Sequence, residues 1–378
     1  MTKKLLKNCT LPDDRKNFQI LIEDGQIAQI SQNNCQIPCQ NIIDMMGKIV
    51  IPGFIDVHIH GAGGGEFFKG ETTEFQKATT TLLNYGVTGL TPTTIVNPEN
   101  NFQQLTLIKE TLEKGVRGAR LLGLHLEGPF VNRKRKGGIP GASVLDYDRE
   151  TLLKILNLLG DKLKMMTIAP EISPRMEIID ILLDHGIVPA LGHTDINYAD
   201  AHRAFEKGVR HVTHIFNAMP VLHHREPGPL LAIFERKDVS VQIISDGVHL
   251  DPAIVRYLYT SLGIDNCVCV SDGQSVIGLP DGDYDINGGI YQKNGEKATD
   301  KDGNLIGTAL DVGHIAGKFQ RFTGCSQKEA IQSVALNPAK VLGLQETTGA
   351  LEAGMRADLV VLDSNGEAER VFLYGEPV

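Results

Sequence analysis

Two histidines one residue apart, His58 and His60, close an apolar run that reads PGFIDVHIH. Alternate residues of a β-strand share a face, so both imidazoles can turn toward one ion. A lone His-x-His is a weak signal, but here it has company. Glu127 ends ARLLGLHLE, His193 follows IVPAL, His214 sits in VRHVTHIFN, and Asp272 follows NCVCV. Six ligand-type side chains therefore stand at the ends of five apolar runs. Neutral imidazoles and carboxylates without a thiolate suit Zn(II) or Fe(II). A bound divalent ion polarises a carbonyl and lowers the pKa of a water to about 7. Asp272 then has work beyond ligation, because it can accept the proton of an attacking water and return it to a leaving group. This is the chemistry of hydrolysis at an amide-like carbon.

Such side chains need a scaffold that brings run ends together. From about Gly53 the chain alternates apolar runs with helical patterns, the runs being PGFIDVHIH, VTGLTPTT, ARLLGLHLEGP, LKMMTIAPE, IVPALGHT, VRHVTHIFN, VSVQIISDGVH and NCVCVSDG. In ETTEFQKATTTLLNYG, the residues Phe75, Ala78, Leu82 and Tyr85 share one helical stripe, and Gly86 can close the helix. DAHRAFEKG reads as a second helix capped by Asp200. Eight strands alternating with helices over roughly 290 residues predict an α/β fold, a (β/α)8 TIM-like barrel whose strand ends carry the active site. No G-x-G-x-x-G follows the first run, which disfavours a doubly wound sheet.

Residues 1–52 differ in texture: FQILIEDGQIAQI reads as a hairpin turning at Asp24-Gly25. The tail, 346–378, returns to short strands, so the two ends are expected to form one small β-domain around a barrel of 53–345. Residues 280–304 read as a long turn-rich loop with room for hairpins. A net charge of −9 without a basic tail argues against nucleic-acid binding. No apolar stretch approaches the ~18–20 residues of a membrane span, and no hydrophobic segment follows the first lysines as in a secretory signal. Scattered Cys9, Cys35, Cys39, Cys267, Cys269 and Cys325 suit a reducing compartment, which makes the cytoplasm the default. Cys35 and Cys39 lack a nearby ligand pair for structural zinc, and Cys267 and Cys269 read as buried strand residues.

PGFIDVHIHG, HLEGPF, LGHT, THIFNAM, REPG, DGVHLD, VSDG and NPAKVLGL, in this order, resemble the N-acetylglucosamine-6-phosphate deacetylase family of the amidohydrolase superfamily. The resemblance runs from about Gly47 to Asp363. It implies a distorted (β/α)8 barrel with a β-sandwich from both termini, and removal of acetate from N-acetyl-D-glucosamine 6-phosphate in aminosugar catabolism or recycling. It further implies a metal held by Glu127, His193 and His214, and a second held by His58, His60 and Asp272, with Asp272 as general acid/base. Zinc is the expected ion, iron or manganese the alternatives. Superfamily relatives that bridge two metals with a lysine carry it at the end of the fourth strand. Here that strand ends Ala169-Pro170-Glu171, so Glu127 inherits the bridge, and a cyclic-amide hydrolase is disfavoured. Asn217, Ala218, Arg225 and His249 match the positions that bind the sugar phosphate, and Leu305-Ile306-Gly307 matches a loop that closes over the sugar. The family also implies a homodimer or higher homo-oligomer.

One departure stands out. Where the family has a Lys-Gly-Ala-His-like stretch, this chain reads RKRKGGIPGAS, and Gly138 and Ile139 replace a histidine that contacts the substrate. Isoleucine donates no hydrogen bond, a loss of about 1–3 kcal/mol if nothing replaces it. Two alternatives follow from this gap: a deacetylase of another N-acetylhexosamine 6-phosphate such as the galactosamine epimer, and a catalytically silent sugar-phosphate sensor. The basic run Arg133–Lys136 reads either as a phosphate or interface attractor or as a solvated loop. His125 is expected as a ligand's partner or a core histidine. His211, three before His214, should face the opposite side of a strand and be structural. Asp56 reads as a structural strand residue, and Asp246-Gly247 as the turn that shapes the His249 loop. His223 and His224 read as mouth or surface residues, and His185, His202 and His314 carry no signal.

Overall fold

The computed structural model describes residues 3–286 and 289–378. Eight parallel strands form its centre: Phe54–Ile59, Val87–Thr94, Leu124–Glu127, Leu163–Ile168, Val188–Leu191, His211–Val212, Ser240–Ile243 and Cys267–Cys269. Each pairs with the next in sequence order. The ring closes just past the eighth strand, where the Asp272 N–H donates to the His58 carbonyl at 2.9 Å and Ile59 bridges Gly273 in parallel. This is the (β/α)8 barrel the alternating runs predict. Its strands are buried on both faces because helices cover the outside and side chains, among them Asp56, His58, His125, Thr167 and Gln242, fill the inside.

The stripe Phe75, Ala78, Leu82 is buried on the helix Thr72–Asn84, and Gly86 follows at φ 82. The helix Tyr198–Glu206 differs from expectation. Its cap is Asn197, whose side chain accepts from the Asp200 N–H, so Asp200 lies in the first turn instead. Both residues suit a helix start, and the chain enters three residues earlier than DAHRAFEKG suggested.

Two four-stranded sheets flank the barrel. One orders Gln26–Gln32, Phe18–Glu23, Lys3–Cys9 and Ile42–Asp44; the other orders Glu376–Pro377, Ala368–Leu373, Leu359–Leu362 and Ile49–Pro52. Leu6, Ile20, Ile22 and Ile27 from the first pack against Val50, Leu359, Val361 and Phe372 from the second, forming a sandwich built from both ends of the chain. The hairpin at Asp24-Gly25 is present, with both turn residues at positive φ. The expected loop 280–304 is more ordered than its turn-rich sequence suggested. Gly282–Ile286, Gly289–Asn294, Lys297–Asp300 and Leu305–Thr308 pair as an antiparallel sheet over Val276, Ile286, Ala298 and Ala309.

Charged contacts join barrel to sandwich, Arg120 on Asp358 among them. Asp311 caps the helix Val312–Thr323 and hydrogen-bonds His314 Nδ1, while His314 Nε2 reaches Glu367 of the terminal sheet at 3.4 Å. The Asp311 hydrogen bond outweighs burial and raises the His314 pKa to about 9. A raised folded-state pKa contributes stability that is complete below the free value of about 6.5 and lost as pH climbs through 9. His314→Asn should therefore cost more stability at pH 6 than at pH 10, measured by urea unfolding of both proteins. An equal cost at the two pH values would show that the pair contributes no charge-dependent stability.

Candidate metal centre

Glu127 ends the third strand and turns its buried carboxylate into the mouth of the barrel. Its Oε1 lies 3.1 Å from His193 Nε2, 3.2 Å from His214 Nε2 and 3.5 Å from His58 Nε2; its Oε2 lies 3.6 Å from His60 Nε2. Asp272 Oδ1 closes the other side, 3.2 Å from His60 Nε2 and 3.5 Å from His58 Nε2. The side chains thus form two triads, Glu127–His193–His214 and His58–His60–Asp272, sharing a boundary at Glu127.

The spacing fits a cation. Ligand atoms at ~2.0–2.1 Å from a tetrahedral zinc stand about 3.3 Å apart. In the first triad the edges are 3.1, 3.2 and 3.0 Å, the last between His193 Nε2 and His214 Nε2. Two neutral imidazole nitrogens facing each other at that distance do not both have a proton to give. His58 Nε2 is buried and has no hydrogen-bond partner among the described residues, while it faces two carboxylates. A divalent ion resolves both conflicts.

The charges agree. Burial alone would raise the pKa of Glu127, but the His193, His214 and His58 rings that face it hold it well below the carboxylate range. Asp272, also penalised by burial, is held low by His58 and His60. Burial opposes a charge on His58, yet Asp272 and Glu127 raise its pKa to about 9. The pocket is built around ionised carboxylates that demand positive charge.

Three of these side chains leave the strand ends on unusual backbone. His193, His214 and Asp272 have φ of 47, 22 and 47°, a region costly for side-chain-bearing residues and found where surrounding structure forces it. The forcing contacts are visible. Asn132 N–H donates to the His193 carbonyl, and His193 Nδ1 donates to the Arg135 carbonyl at 2.8 Å. Glu171, at the fourth strand end, accepts from Asn132 Nδ2, Thr194 Oγ1 and the Asp195 N–H, tying the two loops together. The turn at His214 also explains why the spacing argument for His211 fails. The sixth strand ends at Val212; the His211 ring meets Gln242 in the interior as a structural residue, and the His214 ring turns into the same interior toward Glu127.

A cavity of about 720 Å3 opens above the triads. Gly138, Ile139, Asn217, Ala218, His249, Leu305, Ile306 and Gly307 all line it with His60, Glu127, His193, His214 and Asp272. Arg225 does not; it is exposed, its guanidinium on His224 Nε2. Asp246 accepts from the Val248 and His249 N–H groups and from His249 Nδ1, so it does shape that loop. The strand bearing Gly307 runs against the Asp272 carbonyl, where φ of 138° and a clash with any Cβ leave room only for glycine. Ile139 is buried and packs with Val131, Val144 and Ile95. Two carboxylates partly offset the basic run, Arg133 on Asp146, Lys134 and Arg135 on Asp195, while Lys136 meets the Gly137 and Ile139 carbonyls. His125 bonds Thr93, the Val57 carbonyl and Thr167 as a satisfied core histidine, and Asp56 bonds Ser271 and the His58 N–H. The sequence reading missed Glu66, Phe68, Gln274 and Tyr291 of the cavity wall, and Gln242 and Glu171 behind the ligands.

Residues 49–378 match the amidohydrolase family. N-acetylglucosamine-6-phosphate deacetylase of Bacillus subtilis (strain 168) is 32% identical over 357 residues, covering 93% of this chain and 90% of the relative. N-acetylgalactosamine-6-phosphate deacetylase of Escherichia coli O157:H7 is 29% identical, covering 95% and 94%. Among solved structures, a Mycobacterium smegmatis N-acetyl-D-glucosamine-6-phosphate deacetylase mutant in complex with N-acetyl-D-glucosamine-6-phosphate superposes with a TM-score of 0.91 at 27% identity, covering 100% of this chain and 99% of that one. The chain belongs to the amidohydrolase family.

The shared position of Glu127 separates it from the other ligands by experiment. Glu127→Gln should weaken both cation positions, whereas His60→Asn should weaken one, each by more than the ~10–100-fold that losing a ligand's hydrogen-bond partner costs. Metal content after dialysis against graded chelator reads this directly. Equal losses in the two variants would mean that Glu127 serves a single ion.

Proposed function

We propose that this chain hydrolyses the acetamide of N-acetyl-D-glucosamine 6-phosphate to D-glucosamine 6-phosphate and acetate. The observation that carries this reading is the pair of ligand triads meeting at Glu127 on the floor of a sugar-sized cavity, with Asp272 beside them. Relatives bearing that activity match nearly the whole chain. Glu127, His193 and His214 would hold one divalent ion, and His58, His60 and Asp272 a second, zinc being the best match to the donor set. When bound, such ions polarise the acetamide carbonyl and acidify a water.

Asp272, ionised at neutral pH, accepts the proton of the attacking water as the oxygen bonds to the carbonyl carbon. It then delivers that proton to the amide nitrogen as the carbon–nitrogen bond breaks, so the group that leaves is an amine and not an amide anion. The cavity wall at Asn217 and Ala218, with His249 held by Asp246 at 2.7 Å, would receive the phosphate. Arg225 adds a guanidinium fork from the adjoining exposed loop. Gly138 and Ile139 line one wall, and Leu305-Ile306-Gly307, tethered by Gln274 Nε2 to the Ile306 carbonyl at 2.8 Å, closes another.

We take residues 1–52 with 346–378 as one unit and 53–345 as the catalytic one, the enzyme as a cytoplasmic homodimer or higher homo-oligomer. Among the described residues, no helix is long and apolar enough to cross a membrane. A second reading, the galactosamine epimer as substrate, is favoured by buried Ile139 in the cavity wall and by the E. coli relative's activity.

Acetate release by the zinc-loaded protein tests the proposal, with N-acetylglucosamine 6-phosphate set against its galactosamine epimer and the unphosphorylated sugar. The first should be turned over fastest, and Asp272→Asn should lower kcat on the order of 10²–10⁴-fold. A higher kcat/KM on the epimer would transfer the assignment to it. Metal uptake without hydrolysis of any of the three would sink the enzyme reading in favour of a sensor.

A further inference from the structure

Gln242 is fully buried in the seventh strand, and both ends of its side chain meet histidines. Its Oε1 lies 2.8 Å from His58 Nδ1, and its Nε2 lies 3.0 Å from His211 Nε2. An amide can sit either way round between two imidazoles, so these contacts alone leave its direction open. A third contact decides it. The His214 backbone N–H, which can only donate, points at the same Oε1 at 3.3 Å. Turning the amide over would set two donors against each other in a site without room for an unpaired polar group.

The direction of the amide propagates. With Oε1 toward His58, that ring must carry a proton on Nδ1, so Nε2 is the atom it can give to a cation between Asp272 and Glu127. With Nε2 donating to His211, that ring must accept there and donate from Nδ1 to Ser240 Oγ at 2.8 Å, which in turn donates to the Arg210 carbonyl. Burial pushes the His211 pKa down to about 3, consistent with a neutral ring. Every link of the chain from Arg210 to His58 points the same way.

We propose that Gln242 is a positioning residue for the second cation: by accepting from His58 Nδ1 under the direction of the His214 N–H, it fixes the ring in the ligand form. This rests on the two-ion reading above, and the experiment separates the two. Gln242→Met removes both polar ends at similar volume. Gln242→Glu keeps an oxygen for His58 and for the His214 N–H, and its other oxygen can accept from His211, which can exchange tautomers because the Ser240 hydroxyl donates as readily as it accepts.

The readout is cobalt(II) and zinc stoichiometry in competition with a chelator, with thermal unfolding of each metal-free variant as the folding control. The native chain is expected to take up two ions. Gln242→Met should hold the Glu127–His193–His214 ion as the native chain does and weaken the other position on the order of 10–100-fold, and Gln242→Glu should restore it to within a few-fold. Two ions at native affinity in Gln242→Met would overturn the positioning role alone. Equal loss in Met and Glu variants would also overturn it, since a packing defect, unlike a missing acceptor, is not rescued by an oxygen. A native chain that binds a single ion would bring down the two-ion reading and this inference together.

Discussion

A carboxylate buried among imidazoles is the constraint on which the molecule turns. Glu127 is nearly sealed from water, faces four histidine nitrogens within 3.6 Å, and stays ionised because they surround it. An isolated carboxylate at that depth would be expelled or protonated. Its position at a strand end in the barrel's interior requires strands one, five, six and eight to deliver their partners to the same point. The barrel does so because its ring closes: the Asp272 N–H to His58 carbonyl bond that completes the circle also brings the two ends of the second triad together.

Precision at the site comes from loops bound to one another more than from the strands that launch them. His193 is set by the Arg135 carbonyl on one side and by Glu171's hold on Thr194 and Asp195 on the other. Glu171 occupies the strand end where the superfamily resemblance set a bridging lysine. Here that location supplies a brace instead of a ligand. The basic run, read as a phosphate or interface attractor or as a solvated loop, belongs to the same brace, with Arg133, Lys134 and Arg135 facing Asp146 and Asp195 and the Arg135 carbonyl facing His193.

Much of this was legible in the sequence because ligand chemistry uses few residue types. His58, His60, Glu127, His193, His214 and Asp272 announced themselves by standing where apolar runs stop, and the alternation of runs with helical stripes carried the barrel. What stayed hidden depends on partners distant in the chain. Gln242 reads as an ordinary residue in VSVQIIS, and only the rings opposite it give its amide a direction. Spacing misjudged His211 because a strand two residues long hands over to left-handed backbone at His214. Residues 280–304 looked like loop because turns dominate their composition, yet short strands between those turns pair well enough to form a sheet. Arg225 was named by the family resemblance, and its exposure is a matter of loop path, which sequence does not convey.

The sandwich drawn from both ends has a consequence for how the protein is made. Ile49–Pro52 finds its strand partner in Leu359–Leu362, and the small core needs Phe372 as much as Leu6. Some three hundred residues separate those partners, so at a ribosomal pace of about 5–20 residues per second the early strands wait roughly 15–60 s with an apolar face uncovered. The barrel can close around its own contacts during that interval. Assembly therefore runs from the middle outward, the catalytic ring first and the flanking layer last, and nascent residues 3–52 are the stretch most in need of a chaperone's shelter.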